Sequence, residues 1–255
     1  MKRNIGGRRH RAVFISDLHL GSKHCNSDAL LEFLEELDTD QLFLVGDIID
    51  GWRLAKKWYW PKKHNKIVRK LLKISETTEV TYITGNHDEF FRTFPNVQIG
   101  KVQVKNRYTY QGIDGKKYLV THGDMFDHLM RTKAGRFVMH FGDVAYDSLI
   151  FVNKAINFVR KLLGMHPWSL AKYLKRRAKA AANYIGDFSW EMTNYCSRKG
   201  YDGVICGHIH HAEIKNHEGV IYMNDGDWCE SCTALVENQD GTWEIIQSKY
   251  LTLLS

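Results

Sequence analysis

Five short apolar segments, each closed by a glycine or a polar residue, recur along the chain. They cover residues 12–16, 41–45, 80–84, 117–121 and 203–206 and are rich in Val, Ile, Leu, Phe and Tyr. Segments of this length and composition are typical of buried β-strands. The polar residues that follow them are therefore expected at strand ends, where the carboxyl ends of neighbouring strands in open α/β sheets form a binding crevice.

The residues that close these segments are of the types that bind metal ions. They form the motifs Asp17-Leu18-His19, Gly46-Asp47, Gly85-Asn86-His87-Asp88, His122-Gly123-Asp124 and Gly207-His208-Ile209-His210. Because side chains alternate along an extended chain, Asp17 and His19 can face the same way, as can His208 and His210. The glycines let the backbone turn sharply where a larger residue would be strained or would crowd the site.

This set of side chains predicts a centre for two divalent metal ions. Two ions about 3.5 to 4 Å apart polarise a phosphoryl oxygen, lower the pKa of an attacking water and need a bridging carboxylate, for which Asp47 is the best candidate. The mixture of imidazole, carboxylate and amide donors suits Mn, Fe or Zn better than Mg, and manganese is favoured. The remaining candidate ligands divide into Asp17, His19 and His210 for one ion and Asn86, His122 and His208 for the other.

The order of the motifs resembles the calcineurin-like metallophosphoesterase family. The series D-x-H, G-D, G-N-H-D, H-G-D and G-H-I-H lies within residues 12–211, and its order is highly specific although each motif alone is common. The segment Phe14–Leu20, the chain length and the long insertion before the last motif resemble the UDP-2,3-diacylglucosamine pyrophosphatase branch of lipid A synthesis. That resemblance implies hydrolysis of UDP-2,3-diacylglucosamine to the acylated sugar 1-phosphate and UMP. This chain has His87 where that branch characteristically has Arg.

Asn86 and His87 are the candidate catalytic residues. Asn86 can stabilise charge on the phosphoryl oxygens. His87 can donate a proton or a hydrogen bond to the departing oxygen, which is more useful for an alkoxide than for a nucleotide phosphate. Asp88 and Asp124 are expected to orient neighbouring residues or to cap turns, because carboxylates commonly lie behind metal-bound histidines.

The length of 255 residues and the apolar content of 44% predict one α/β domain over residues 1–255. Helical spacing at residues 28–37 and 66–74 favours a parallel β-α-β-α-β start. Asp114-Gly115 is expected at a hairpin turn. The family resemblance implies a metallophosphoesterase-type sandwich of two sheets flanked by helices (α/β/β/α), with a helical cap insertion at about residues 129–200. The strands expected to form a β meander at the end of the chain cover residues 212–216, 220–223, 234–237 and 242–246.

Positive charge is concentrated in the expected insertion. Residues 129–200 hold 13 Lys and Arg against 4 Asp and Glu, a net of +9, whereas the remaining residues hold 23 against 25, a net of −2. The insertion also carries large apolar residues, and residues 168–179 have helical spacing. Basic amphipathic helices suit an anionic membrane or a lipid phosphate, which predicts peripheral membrane contact and a cap that receives an apolar substrate. Alternatively, the apolar stripe only packs the insertion onto the sheet.

The cysteines and the N-terminal segment indicate a compartment. Five cysteines without regular spacing favour reduced thiols and a cytoplasmic protein. Cys229 and Cys232 are interpreted as partly buried residues at a strand start rather than as a zinc or redox pair. The basic first eleven residues lack the apolar region of a secretory signal. The expected location is the cytoplasm, with peripheral contact at the inner membrane, and the sequence leaves the oligomeric state open.

Three other functions remain compatible with the motifs. A phosphodiesterase or nuclease of the same fold would use the same metals, and the basic insertion could follow a nucleic-acid backbone, although nucleic acid is not the favoured partner. A phosphoprotein phosphatase is poorly suited by an apolar cap. A metal-free interaction scaffold would have no need of the complete ligand set.

Overall fold

The computed structural model describes residues 9–94, 97–127 and 170–249. The chain divides into two compact units, Met1–Asp127 with Trp190–Ser255 and His128–Ser189. Most of the expected insertion, residues 129–169, lies outside the described residues, as do the side chains of its basic helical stretch up to Arg177. Within the described ranges, no helix is both long enough and apolar enough to cross a membrane.

The described strands form two mixed sheets. The spatial order of the seven-stranded sheet is β12 (Trp243–Gln247), β11 (Thr233–Asn238), β1 (His10–Ile15), β2 (Thr39–Val45), β3 (Glu79–Ile83), β5 (Val102–Lys105) and β4 (Gln98–Ile99). The order of the five-stranded sheet is β6 (Tyr108–Gln111), β7 (Lys117–Val120), β8 (Gly203–Cys206), β10 (Val220–Asn224) and β9 (Glu213–His217). The α-helices are α1 (Ser27–Glu36), α2 (Gly51–Lys56), α3 (Lys62–Ile74) and α4 (Leu170–Lys199), and short 3-10 helices span Glu89–Thr93 and Asp124–Phe126.

Alternating side chains give the seven-stranded sheet a core on each face. In β1, Val13 and Ile15 join the cluster that includes residues of α1 and α3. Ala12 and Phe14 join a second cluster with residues of the five-stranded sheet. Phe14 stacks on Phe43 of β2 with the ring centroids 4.6 Å apart. This alternation, which follows from the two-residue period of a strand, confirms the expected packing of two sheets with helices.

Most of the expected strand pairings are present. Strands β1, β2 and β3 are parallel neighbours, and β6 and β7 form the antiparallel hairpin around Asp114-Gly115. Helix α3 begins at Lys62, four residues before the expected start at Lys66. It begins directly after Pro61, whose fixed φ favours a helix start, whereas its buried residues begin only at His64 and Ile67. The short helix α2 was not expected from the sequence.

The prediction of one continuous β meander at the end of the chain is wrong. Strand β10 pairs with β8 and β9, whereas β11 pairs with β1 and β12 in the other sheet. Between β10 and β11 the chain turns at Gly226, whose φ is +88°. The fully buried Trp228 then packs in the helix-side core of the seven-stranded sheet. Burial of this large side chain draws the chain across to the other sheet.

The fold makes a testable prediction about His64 of α3. The imidazole is 1% exposed, its Nδ1 accepts a hydrogen bond from the Gly21 N–H at 3.1 Å, and burial lowers the pKa of His64. Because the pKa of an unfolded histidine is about 6.5, the stability from neutral His64 is present above that pH and is lost as the pH falls through the lowered folded pKa. We expect the free energy of unfolding in urea to fall more between about pH 7.5 and pH 5.5 in the wild type than in His64→Asn, whose amide oxygen accepts the same hydrogen bond without titrating. Equal decreases in the two proteins would contradict the prediction.

Candidate metal centre

The expected ligands lie at the carboxyl ends of strands from both sheets. They follow β1, β2 and β3 in one sheet and β7 and β8 in the other. The backbone joins these ends, since His19 N donates to Asp47 O at 2.9 Å and Gly207 N donates to His122 O at 3.2 Å. The parallel pairing of β7 with β8 brings the loops of the five-stranded sheet to one edge in the same way. The two sets of loops therefore meet at one place.

Side chains from these loops converge into three small groups. Possible ligand atoms within each group lie within 4.8 Å of one another. His210 Nε2 lies 3.1 Å from Asp17 Oδ1, and His122 Nε2 lies 3.3 Å from Asp47 Oδ2. Asp47 Oδ2 also lies 3.9 Å from His19 Nε2, so this oxygen faces candidate ligands of both expected ions. The groups are Asp17, His19 and His210; Asp17, Asp47 and His122; and His19, Asp50 and His87.

His208 and Asn86 are placed differently from the other candidate ligands. His208 packs its ring against His122 with the centroids 5.0 Å apart, and its Nε2 lies 3.0 Å from both carboxylate oxygens of Asp127. It is absent from the three groups formed by the described residues. Asn86 is half-buried, with its Oδ1 fully enclosed.

Several enclosed ligand atoms make no hydrogen bond of good geometry with the described residues, even where an ion-pair neighbour is close. These include Asp17 Oδ1, Asn86 Oδ1 and His122 Nε2. His122 Nδ1 lies 2.9 Å from the Val45 carbonyl oxygen and must donate to it, so Nε2 is the ring nitrogen left to face a cation. An enclosed polar atom without a partner costs about 1–3 kcal/mol. A donor set of carboxylate, amide and imidazole atoms left in this state fits a divalent cation.

The candidate ligands are held in unusual backbone conformations. Positive φ angles occur at Asp17 (53°), His19 (49°), Asp47 (54°), His208 (71°) and His210 (53°). A residue other than glycine rarely adopts this region, and each such residue costs about 1–3 kcal/mol. Strain at five residues from three loops that meet at one place indicates a functional site.

Glycines make room for the close approach of these loops. A Cβ atom on Gly85 would lie 2.2 Å from Asp47 Oδ1, and one on Gly207 would lie 2.0 Å from Ser16 Oγ. Gly46 has a φ of +85°, and a Cβ atom on it would also lie only 2.3 Å from His122 Nδ1. The expected reasons for glycine in these motifs, strain and crowding, are therefore both present.

Opposite charges control the ionisation of the buried acids and histidines. Burial alone would raise the pKa of Asp17, but the neighbouring His210 and His122 outweigh it and hold that pKa well below its usual value. Burial would lower the pKa of His19, but Asp17 and Asp50 raise it to about 10. The pKa of Asp47 is likewise lowered to about 2, against its own burial, chiefly by His122. The carboxylates thus remain ionised and require positive charge beside them.

Asp50 is a site residue that the motif analysis missed. Its Oδ1 lies 2.9 Å from His87 Nδ1, and its Oδ2 lies 3.3 Å from His19 Nδ1. Burial opposes its ionisation, yet hydrogen bonds from these two histidines hold the pKa of Asp50 well below its usual value. Asp50 also caps α2 by accepting from Arg53 N at 3.0 Å. Its position three residues after Asp47, directly before a short helix, was the available sequence signal.

Asp88 and Asp124 organise the loops, as the sequence suggested. Asp88 accepts hydrogen bonds from Gly85 N at 2.5 Å and Ile48 N at 2.8 Å, which ties the loop after β3 to the loop after β2. Asp124 accepts hydrogen bonds from both terminal nitrogens of Arg92, each at 2.9 Å. These carboxylates have their hydrogen bonds supplied by the protein, unlike the enclosed atoms of the candidate ligands.

Ser16 and Asp225 form a second set of residues that the sequence did not indicate. Ser16 Oγ lies 2.6 Å from Asp17 Oδ2 and 2.5 Å from Asp225 Oδ1. One hydroxyl proton cannot serve both carboxylates, and burial raises the pKa of Asp225 well above its usual value. The Ser16 hydroxyl therefore donates to one carboxylate at a time and ties Asp17 to the loop that carries Asp225.

Comparison with known proteins identifies relatives of the whole described core. A family model described as calcineurin-like phosphoesterase matches residues 10–212. The UDP-2,3-diacylglucosamine hydrolase of Shewanella sp. strain ANA-3 is 26% identical over 258 residues, covering 91% of this chain and 95% of that protein. The hydrolase of the same name from Porphyromonas gingivalis is 26% identical over 124 residues, which span 46% of this chain and only 47% of that protein. Among solved structures, a phosphoesterase from E. coli, Yfce, aligns with a TM-score of 0.43 and 12% identity over 93% of this chain and 98% of that one.

Proposed function

We propose that this chain, which belongs to the calcineurin-like phosphoesterase family, hydrolyses a phosphoester or pyrophosphate bond at a centre of two divalent cations. The observation that carries the proposal is the convergence of Asp17, Asp47 and His122, in which Asp17 Oδ1 and His122 Nε2 are enclosed without a hydrogen bond of good geometry. In a scaffold that binds no metal, these enclosed polar atoms would destabilise the fold, and no interaction would compensate for that loss.

The residues at the site fit two neighbouring cations. Asp17, His19 and His210 would hold one, Asn86, His122 and His208 the other, and Asp47 would serve both. Imidazole nitrogen in this set supports manganese, with iron or zinc as alternatives. When bound, such cations polarise a phosphoryl oxygen and lower the pKa of a water molecule. For His208 to bind a cation, its Nε2 would have to give up its contact with the Asp127 carboxylate, 3.0 Å away.

His87 is positioned to act on the leaving group. Its Nδ1 lies against the ionised Asp50, and its Nε2 lies 3.8 Å from Asp47 Oδ2, on the side of the candidate ligands. Trp52 covers the imidazole with the ring centroids 4.4 Å apart. Asp50 thus orients the ring with a proton on Nδ1 and would stabilise the imidazolium, whose Nε2 proton could pass to a departing oxygen.

The proposed substrate is UDP-2,3-diacylglucosamine, with the acylated sugar 1-phosphate and UMP as products. The name shared by relatives of about 26% identity supports it, and so does coverage of 91% of the chain in one of them. All five cysteines are free thiols, which supports the proposed cytoplasmic location. Contact with an anionic membrane would bring such an enzyme to its acylated substrate.

A phosphodiester is the second candidate substrate, because His87 stands where the related branch has Arg. An imidazole held by a carboxylate assists an alkoxide leaving group more than it assists a nucleotide phosphate. Incubation of the manganese-loaded protein with UDP-2,3-diacylglucosamine, a nucleotide cyclic diester and a phosphomonoester separates these candidates. The highest rate is expected with the acylated sugar nucleotide. A higher rate with the cyclic diester would favour the second candidate, and no hydrolysis of any of them would overturn the proposed function.

Asp47 is the carboxylate proposed to bridge the two cations. We expect Asp47→Ala to bind less than two equivalents of manganese and to lose more than the roughly 10- to 100-fold in activity that removal of a residue behind a ligand costs. Metal analysis and initial rates measure the effect, and circular dichroism checks the fold. Asp38→Ala is the matched control, because Asp38 is exposed and lies just before β2, at the opposite end of the strand. A variant that keeps two metals and near-normal rates would refute the bridging role.

The second functional prediction concerns the leaving group. If His87 protonates the departing oxygen, His87→Asn should slow aryl esters with poor leaving groups by about 10² to 10⁴-fold and those with good leaving groups far less. The measurement is kcat across a series of substituted phenyl esters, for the variant and for the wild type. A uniform decrease across the series would instead assign His87 to binding or to electrostatic stabilisation.

A further inference from the structure

A second basic stretch lies outside the expected insertion. The 25 residues from Gly51 to Ser75 include nine Lys and Arg and no Asp or Glu. Acidic residues elsewhere conceal this stretch in the charge balance of the whole chain. It comprises α2, α3 and their connection, and it begins directly after Asp50 at the candidate metal centre.

The charges of this stretch face solvent. Arg53, Lys56 and Lys57 of α2 and its end are exposed, and of these Arg53 pairs its Nε with Asp50 Oδ2 at 3.2 Å. Ile67 and Leu71 of α3 are buried in the helix-side core. An amphipathic helix on a sheet ordinarily divides in this way, so α3 alone carries no inference. Lys56 of α2 and Lys57 directly after it are different, because α2 contributes no buried residue of its own.

The connection between α2 and α3 carries an exposed tryptophan, Trp58. Tyr59 and Trp60 pack edge-on against the buried His64, with ring centroids 6.0 and 5.4 Å away. Trp58 between Lys57 and these residues is 73% exposed, the largest fraction among the exposed large apolar side chains of the described residues. The two anchored rings fix the connection and direct the third outward. An apolar ring held in water next to lysines marks an interaction surface.

Two further aromatic rings lie between this connection and the metal centre. Trp52 is 46% exposed, packs against His87 with the ring planes tilted by 32°, and donates its indole N–H to Glu89 Oε1 at 3.3 Å. Phe90 is 43% exposed and lies beside the start of α2, since a Cβ on Gly51 would be 3.1 Å from its ring. Aromatic rings and basic side chains thus share one surface. We call it the α2 face, and it consists of Trp52, Arg53, Lys56, Lys57, Trp58 and Phe90.

We propose that the α2 face docks on an anionic lipid bilayer. Indole rings prefer the interface between headgroups and hydrocarbon, and nearby lysines are attracted by anionic headgroups. Phe90 has no polar group, so binding is favoured only where its ring is transferred out of water. Seven of the nine basic residues in the stretch are Lys, whereas recognition of nucleic acids relies heavily on the bidentate geometry of Arg.

Docking by this face would place the metal centre at the membrane surface. Asp50 caps α2 and contacts His87, so the contacting helix and the candidate proton donor share one residue. The docking is independent of the identity of the phosphoester and is measured by binding rather than turnover. Failure of the proposed function and failure of the docking are therefore distinguishable.

The test is sedimentation of the full chain with vesicles of phosphatidylcholine, with and without about one-third phosphatidylglycerol. We expect binding only to the anionic vesicles. The Lys56→Gln, Lys57→Gln double variant should bind them about tenfold more weakly or worse, since each lysine near the surface contributes separately. The matched control is the Lys199→Gln, Lys215→Gln double variant, which removes the same charge from exposed positions of α4 and β9 and should bind as the wild type does. Trp58→Ala should also bind more weakly, and its loss should persist in about 0.5 M salt, where charge attraction is screened within a few ångströms.

Several results would overturn the proposal. They are the absence of binding to anionic vesicles at low salt, equal losses in the two double variants, or no effect of Trp58→Ala. Displacement from the vesicles by low concentrations of duplex DNA, together with a normal Trp58→Ala variant, would assign the α2 face to nucleic acid instead. Hydrolysis of a small water-soluble phosphoester, expected to be equal in all four proteins, verifies that the variants are folded.

Discussion

The carboxylate of Asp47 is the group on which the arrangement of the candidate site depends. Its Oδ1 accepts the backbone N–H of His87 at 2.8 Å, and its Oδ2 faces His122 Nε2 at 3.3 Å. The backbone carbonyl oxygen of Asp47 accepts a hydrogen bond from the backbone N–H of His19 at 2.9 Å. One buried residue therefore joins loops that follow β1, β3 and β7, from both sheets. A buried carboxylate is tolerated only when cationic groups or hydrogen bonds compensate it, so the loops must bring such groups to it.

The strand-end motifs could be located from the sequence because their signals are local. An apolar run and the polar residue that ends it lie within a few positions of each other, and the two-residue period assigns the faces. The crossing between β10 and β11 could not be seen, because it depends on burial of Trp228 in a core made by distant segments. Asp50 was missed because its partners His19 and His87 are 31 and 37 positions away. The proximity of His208 to Asp127 likewise depends on contacts across the fold.

The strain at the site is sustained by the rigidity of the layers beneath it. Five candidate ligands with positive φ would together cost about 5–15 kcal/mol if each cost were independent. Such conformations persist only where the surrounding structure determines them. The core on each face of the seven-stranded sheet and the close approaches at Gly85 and Gly207 provide this constraint. The same rigidity keeps enclosed polar atoms aimed inward without partners, which is the preorganised state that a cation requires.

The charge of the molecule changes sign over a short distance along the chain. Asp47 and Asp50 place negative charge inside the site, and the basic stretch of residues 51–75 begins with the very next residue. The inner carboxylates favour cations at short range, whereas the outer lysines give the surrounding surface a positive potential at longer range. An anionic substrate or headgroup is therefore attracted to the surface without being repelled by the acids, provided that cations neutralise them. Metal loading and attraction of the phosphate group are in this way parts of one electrostatic arrangement, built from consecutive residues after β2.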